Sequence, residues 1–147
     1  MSAVTFFVAG IPVQQGSKKG FSRKGSTFVQ LVDDNKDKLK PWRAQLTHVA
    51  RASWLDRPRL EGAVKVRAVF VLPRGKTVKR PLPSVTPDLD KLARALCDGI
   101  TDAGVVWKDD AQVTHLDVEK VYGDAPGVHV VISRAETPLT ETKEKAA

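Results

Sequence analysis

Residues 64–72, VKVRAVFVL, set the tightest limit on what this chain can fold into. Val64, Val66, Ala68, Phe70 and Leu72 alternate with Lys65 and Arg67. Apolar residues at period two predict a half-buried strand, and a half-buried strand needs a second layer to cover it. Two stripes of helical period supply that layer. Leu39, Trp42, Leu46 and Val49 share one helical face; Leu89, Leu92, Leu96, Ile100 and Ala103 share another, closed by Gly104. Pro41 is tolerated in the first turn of a helix, which predicts a start near Lys38, and Pro58 follows the end. Near the N-terminus, Val4, Phe6 and Val8 alternate with Thr5 and Phe7 up to Gly10 and Pro12, a first strand. Residues 112–122 and 128–133 predict two more, joined through the Gly-Asp-Ala-Pro-Gly run of residues 123–127 as a β-hairpin. The order β-α-β-α-β-β predicts an α/β (α+β) fold with a mixed sheet of four strands and two main helices packed on it.

At 147 residues the chain is most simply one domain. Its expected extent is residues 1–134, with 135–147 a polar, aperiodic tail. Residues 13–30 and 74–87, rich in Gly or Pro and in basic side chains, predict loops. No apolar run is long enough for a bilayer and the N-terminus lacks a positive n-region, so neither membrane nor export is expected. Cys97 is the only cysteine, which rules out an intrachain disulfide and fits a reducing cytoplasm. Next to Leu96, it reads as a small core residue. His48, His115 and His129 lack zinc-ligand spacing, and Trp42, Trp54 and Trp107 read as packing residues. Gly20 to Thr27 comes near a P-loop in spacing but lacks the lysine after its second glycine, so no nucleotide cofactor is expected.

Charge is where the sequence turns from fold to function. The chain holds 24 Lys+Arg against 17 Asp+Glu, net +7. Residues 1–87 carry 17 basic and 5 acidic side chains, whereas residues 88–147 carry 7 and 12. A segregated basic excess favours a polyanionic partner through steering and counterion release. Against that background, Pro87 to Val113 holds six aspartates. Asp88 and Asp90 open the second helix, and Asp109 and Asp110 follow its end. A helix cap accounts for Asp88 and the helix dipole for Asp90, but neither accounts for Asp109 and Asp110. Hard carboxylate oxygens in a protein that favours a polyanion point to a divalent metal acting on a nucleic-acid phosphate. Whether Asp110 reaches Asp88 depends on the fold. Arg94, one helical turn after Asp90, would either contact a phosphate or pair with Asp90; Lys91 has the same two options. Asp98 and Asp102 read as charges on the helix surface.

The string PDLDKLARALCDGITDAGVVWKDDAQV resembles the signature of RusA-type Holliday junction resolvases, a D-x-D helix start followed by W-x-D-D-x-Q-V. The FFVAGIP segment and the basic loop after it are also similar to that family. The resemblance implies a homodimeric, Mg2+-dependent endonuclease, with Mn2+ as an alternative ion. It would nick four-way DNA junctions in symmetric pairs, in recombination and repair, in a bacterial cytoplasm or from a phage genome. It places the metal-binding and catalytic aspartates at Asp88, Asp90 and Asp110, with Asp109 as a substitute for Asp110. Arg94 stands where the family often has a catalytic lysine, and Lys91 where asparagine is common. It implies that the aspartates near Trp107 converge on the helix start. Lys18, Lys19, Arg23 and Lys24 on one loop, and Arg74, Lys76, Lys79 and Arg80 on another, become candidate DNA contacts together with Lys91. The competing expectation is a branched-DNA-binding protein that does not cut.

Overall fold

A computed structural model describes residues 3–16 and 26–137, the side chains of 26–36 excepted. The elements, in order, are β1 (Val4–Ala9), α1 (Ser26–Trp54), β2 (Val64–Leu72), α2 (Leu89–Ala103), a single 3-10 turn (Asp110–Gln112), β3 (Val113–Tyr122) and β4 (Gly127–Arg134). The predicted order β-α-β-α-β-β and the α+β class with a four-stranded mixed sheet are both observed.

The sheet runs β1-β4-β2-β3. β4 is antiparallel to both β1 and β2, while β3 lies parallel to β2 on the outside. One row across the sheet shows where the core sits. Phe6 pairs with Val130, Val130 with Ala68, and Ala68 with Val118. Phe6, Val130 and Ala68 are buried, and Val118 is only partly so. The helices thus cover β1, β4 and β2, and the cover thins at β3. The opposite face is open: the Phe7 and His129 rings meet there at a 42° tilt with centroids 4.5 Å apart, on the same face as exposed Arg67.

Two expectations are corrected. The run at residues 123–127 does not close a hairpin, because β4 inserts between β1 and β2 and the connection crosses the end of β2. Gly123 donates its N–H to Leu72 O at 3.0 Å, and a Cβ there would lie 2.6 Å from Val71 Cγ1. A Cβ at Gly127 would collide with Val8 O. Composition explains the order. β4 has Val128, Val130 and Ile132 fully buried and suits the interior, whereas β3, with His115, Asp117, Glu119 and Lys120, suits an edge. The second correction concerns α1. It begins at Ser26 and carries Pro41 inside, not in its first turn, so residues 26–30 are helical and not loop. An internal proline costs about 3 kcal/mol; burial of Trp42, Leu46, Ala50 and Trp54 along the same helix offsets it.

α1 and α2 cross at Gly99. A Cβ on Gly99 would stand 2.9 Å from Leu46 Cβ, and Thr47 Oγ1 donates to Gly99 O at 2.7 Å. Gly104 ends α2 in the left-handed conformation, φ 74°. Arg51 Nε donates to Ala103 O at 3.2 Å, placing a cation at the negative end of the helix dipole. No helix among the described residues is long and apolar enough to cross a membrane.

Candidate active site

α2 buries most of its surface. Leu92, Ala93, Ala95, Leu96, Cys97, Gly99, Ile100 and Ala103 face the core. What remains toward solvent is a narrow stripe that contains Asp90, Arg94 and Asp98, successive residues four apart.

Asp88 occupies the N-cap position with extended backbone, φ −74° and ψ 134°, but its carboxylate makes no capping hydrogen bond. The backbone does the anchoring. Asp88 N–H donates to Gln14 Oε1 at 2.6 Å, and Asp88 O accepts from the N–H groups of Lys91 and Leu92. The carboxylate is therefore left outward, 3.4 Å from Lys91 Nζ. Asp90 is exposed in the first turn. The pairing of Arg94 with Asp90 does not form: Arg94 has no ion pair among the described residues.

The second pair of aspartates is set by a compact turn. Trp107 is buried and donates Nε1–H to Thr101 Oγ1 at 2.8 Å. Gln112 closes the turn. Its Oε1 accepts from the N–H groups of Lys108 and Asp109, and its Nε2 donates to the carbonyls of Leu60 and Gly62. The chain after Gly104 thus doubles back along α2 and delivers Asp110 to Asp98. Partial burial, then the charges of Asp98 and Asp109, then hydrogen bonding with both of them raise the Asp110 pKa above the ordinary aspartate value. Burial, reinforced by Asp110 and Asp98, pushes the Cys97 thiol up to about 12. The thiol stays protonated and inert at neutral pH, as its reading as a core residue requires.

Asp98 is thus part of an acidic group, not merely a charge on the helix surface. It also accepts from Gln15 Nε2 at 2.6 Å, while Arg43 donates to Gln15 Oε1 at 3.0 Å. Asp102 does behave as a surface charge, paired with Arg43 at 2.6 Å. Within one chain the implied convergence of the Trp107-side aspartates on the helix start is not observed, because the turn after Gly104 brings Asp110 only as far back as Asp98; the aspartates form two groups. Asp88 and Asp90 open α2; Asp98, Asp109 and Asp110 gather eight residues further on, about 12 Å along the axis. No group of three or more potential ligands is arranged about one metal centre among the described residues. The donor chemistry still fits a hard cation. Mg2+ is commonly held by one or two carboxylates, with waters and substrate phosphates completing its shell.

The basic residues divide. Lys18, Lys19, Arg23 and Lys24 lie outside the described residues. Arg74, Lys76, Lys79 and Arg80 are all exposed on the segment between β2 and α2. Sequence reasoning passed over Gln14, Gln15, Lys120 and Tyr122, and gave Gln112 no role beyond its place in the W-x-D-D-x-Q-V string. Of the residues it misjudged, Asp98 had a readable signal, its four-residue spacing from Arg94; the others act through contacts that only the fold creates.

Two comparisons with known proteins bear on this geometry. The family model described as Endodeoxyribonuclease RusA matches residues 10–133. The chain is also 29% identical over 146 residues to the uncharacterized protein YqaN of Bacillus subtilis (strain 168), covering 90% of this chain and 96% of that one. The matched span runs from the end of β1 into β4 and takes in the aspartate stripe, its Gln112-closed turn and the exposed basic segment. The chain belongs to the RusA family of endodeoxyribonucleases.

Proposed function

We propose that this chain is a Mg2+-dependent nuclease of recombination and repair that resolves four-way DNA junctions as a homodimer, by paired symmetric nicks in the cytoplasm. The observation that carries the reading is the solvent stripe of α2. It presents Asp90, Arg94, which has no ion pair among the described residues, and the Asp98–Asp110 pair on a helix otherwise packed into the core, with the Asp88 carboxylate, which makes no capping bond, just before it. A carboxylate used only for capping would bond the helix end, and that of Asp88 does not; Arg94 lies between the two acidic groups, where a phosphate bridging them would meet it.

In this reading Asp88 and Asp90 would hold the metal, one or two carboxylates with waters and substrate phosphate sufficing for Mg2+, and Asp110, with Asp109 beside it about 12 Å further along α2, would supply the remaining carboxylates of the site. The ion, when bound, stabilises charge on the phosphate and lowers the pKa of an attacking water. Arg94 contacts the scissile phosphate. Its fork-shaped guanidinium accommodates two phosphate oxygens, a geometry lysine lacks. Lys91 balances Asp88 and adds positive potential where the DNA backbone approaches. Arg74, Lys76, Lys79 and Arg80 hold a neighbouring stretch of backbone, joined by Lys18, Lys19, Arg23 and Lys24. Such contacts carry no base information, so selection of a branched substrate rests on shape and deformability.

The test is a nicking assay on a synthetic four-way junction with and without Mg2+, comparing wild type with Asp90→Asn. The variant should bind the junction within about twofold of wild type while its nicking rate falls by on the order of 100-fold or more. Nicking by Asp90→Asn at the wild-type rate would remove Asp90 from the mechanism. Metal-independent binding with no cleavage of any branched DNA by wild type would leave a junction-binding protein instead.

A further inference from the structure

The segment from Pro73 to Pro87 carries both the exposed arginines and the approach to Asp88, yet contains no helix or strand. It is held at two places by one strand. Lys120 Nζ donates to Val85 O and to Pro87 O, each at 2.7 Å. Pro87 is the residue before Asp88, so this ammonium fixes the backbone that leads into the carboxylates. Two residues further along β3, Tyr122 holds the arginines. Arg80 Nη1 donates to the Tyr122 hydroxyl at 2.7 Å, and the Arg74 guanidinium lies over the Tyr122 ring, 4.7 Å from its centroid. Arg74 Nη2 also donates to Pro81 O at 3.3 Å, closing the segment on itself. Tyr122 and Arg74 share an open cleft of about 400 Å³ with Pro73, Gly123 and Asp124.

Alternation puts Lys120 and Tyr122 on the same side of β3, about 7 Å apart. The strand itself is locked to β2 by continuous parallel pairing from His115 to Tyr122. The arginines and the helix start are therefore referenced to one rigid element. A loop tethered only at its ends would let that distance vary.

We propose that Lys120 and Tyr122 act as a ruler: they fix the spacing between the arginines that grip the DNA backbone and the carboxylates that cut it, and so determine which phosphodiester is nicked. This rests on the nuclease reading above. Both are positioning residues; neither touches the scissile phosphate. Lys120 works through the Pro87 carbonyl, and Tyr122 by aiming two guanidinium groups at one stretch of phosphates.

The experiment maps nick positions at single-nucleotide resolution on an immobile junction whose arms have identical sequence near the crossover. Wild type should favour one phosphodiester per cut strand. Lys120→Met and Tyr122→Leu should spread the nicks to neighbours, lowering the share of the main position roughly threefold, since small losses of positioning reach the reacting centre. Lys120→Arg, which still donates to two carbonyls, should keep the wild-type position, and Tyr122→Phe, which frees only Arg80, should fall between. Unchanged nick position in Lys120→Met and Tyr122→Leu, whatever their rates, overturns the proposal. A second arm needs no cleavage. In EDTA, the salt dependence of junction binding counts phosphates neutralised. Tyr122→Leu should lower that slope as much as the Arg74→Ala/Arg80→Ala double variant, and combining all three should lower it no further. Additive losses overturn the proposal. Should wild type nick no branched DNA, the nuclease reading falls and this binding arm alone decides whether Tyr122 aims the arginines. If Lys120→Met or Tyr122→Leu loses its cooperative thermal transition, Tyr122→Phe carries the comparison, and an unchanged nick position in it overturns the proposal.

Discussion

At the residue scale, Asp110 is the most informative side chain. Its pKa lies above the ordinary aspartate value because it is partly buried against Asp98 and Asp109. A raised folded-state pKa means that the folded protein holds this proton more tightly than the unfolded chain does. Ionising Asp110 therefore costs stability. The cost is absent below the ordinary aspartate range near 3.9, grows as pH rises through the raised value, and is complete above it. Asp110→Asn in EDTA should accordingly raise the melting temperature by a few degrees at pH 7. That gain should shrink toward zero as the pH is lowered past the ordinary aspartate range. A gain that persists unchanged into acid would mean that asparagine stabilises by hydrogen bonding and not by removing charge. The same strain between carboxylates is what a divalent cation relieves, so added Mg2+ should stabilise wild type more than the variant. Stability given up at Asp110 is thus consistent with a group kept for binding.

At the scale of elements, α2 is positioned by its contact with α1, and Gly99 controls how closely the two approach. A Cβ there would meet Leu46 Cβ at 2.9 Å. Gly99→Ala gains about 1 kcal/mol of helix propensity but overpacks the crossing. Gly99→Val adds bulk without the same propensity gain. Urea unfolding should show Gly99→Ala mildly destabilised and Gly99→Val destabilised by about 3 kcal/mol. Leu46→Ala should not rescue either, because the offending atom is Cβ, which alanine retains. The elements themselves were legible wherever periodicity was strong: the alternation in β2, the apolar stripe of α2, and the breaks at Gly10 and Gly104. The start of α1 was not, because Pro41 is a local penalty overcome by the burial of Trp42 and Leu46. Nor was the crossing of residues 123–127 over β2. A Gly-Asp-Ala-Pro-Gly run reports that the chain turns, not which strand it pairs with next. The site divides in the same way. Asp88, Asp90 and Arg94 are fixed by one helix and could be read from spacing. The grouping of Asp98 with Asp110, and the reach of Lys120 to Pro87 O, depend on how β3 returns along α2.

For the whole molecule, the charge count suggests polyanion binding, and the fold adds direction to it. The exposed arginines and the aspartate stripe lie at the two ends of one segment on one domain. On the proposed reading a single such domain would present one cutting site, whereas a four-way junction has two equivalent strands to cut. Twofold substrate symmetry matches a twofold dimer, in which each protomer places one site. Light scattering should then give about twice the 16.1 kDa chain mass. The functional counterpart uses a supercoiled plasmid with an extruded cruciform. Paired nicks within one binding event give linear DNA; a single nick relaxes the cruciform and leaves a nicked circle. Mixing wild type with a tenfold excess of Asp90→Asn, and allowing subunits to exchange, makes most active dimers carry one working site. The product should shift from linear to nicked circle while total cleavage events fall. If the protomers act independently, the mixture should only slow the reaction and leave the ratio of products unchanged.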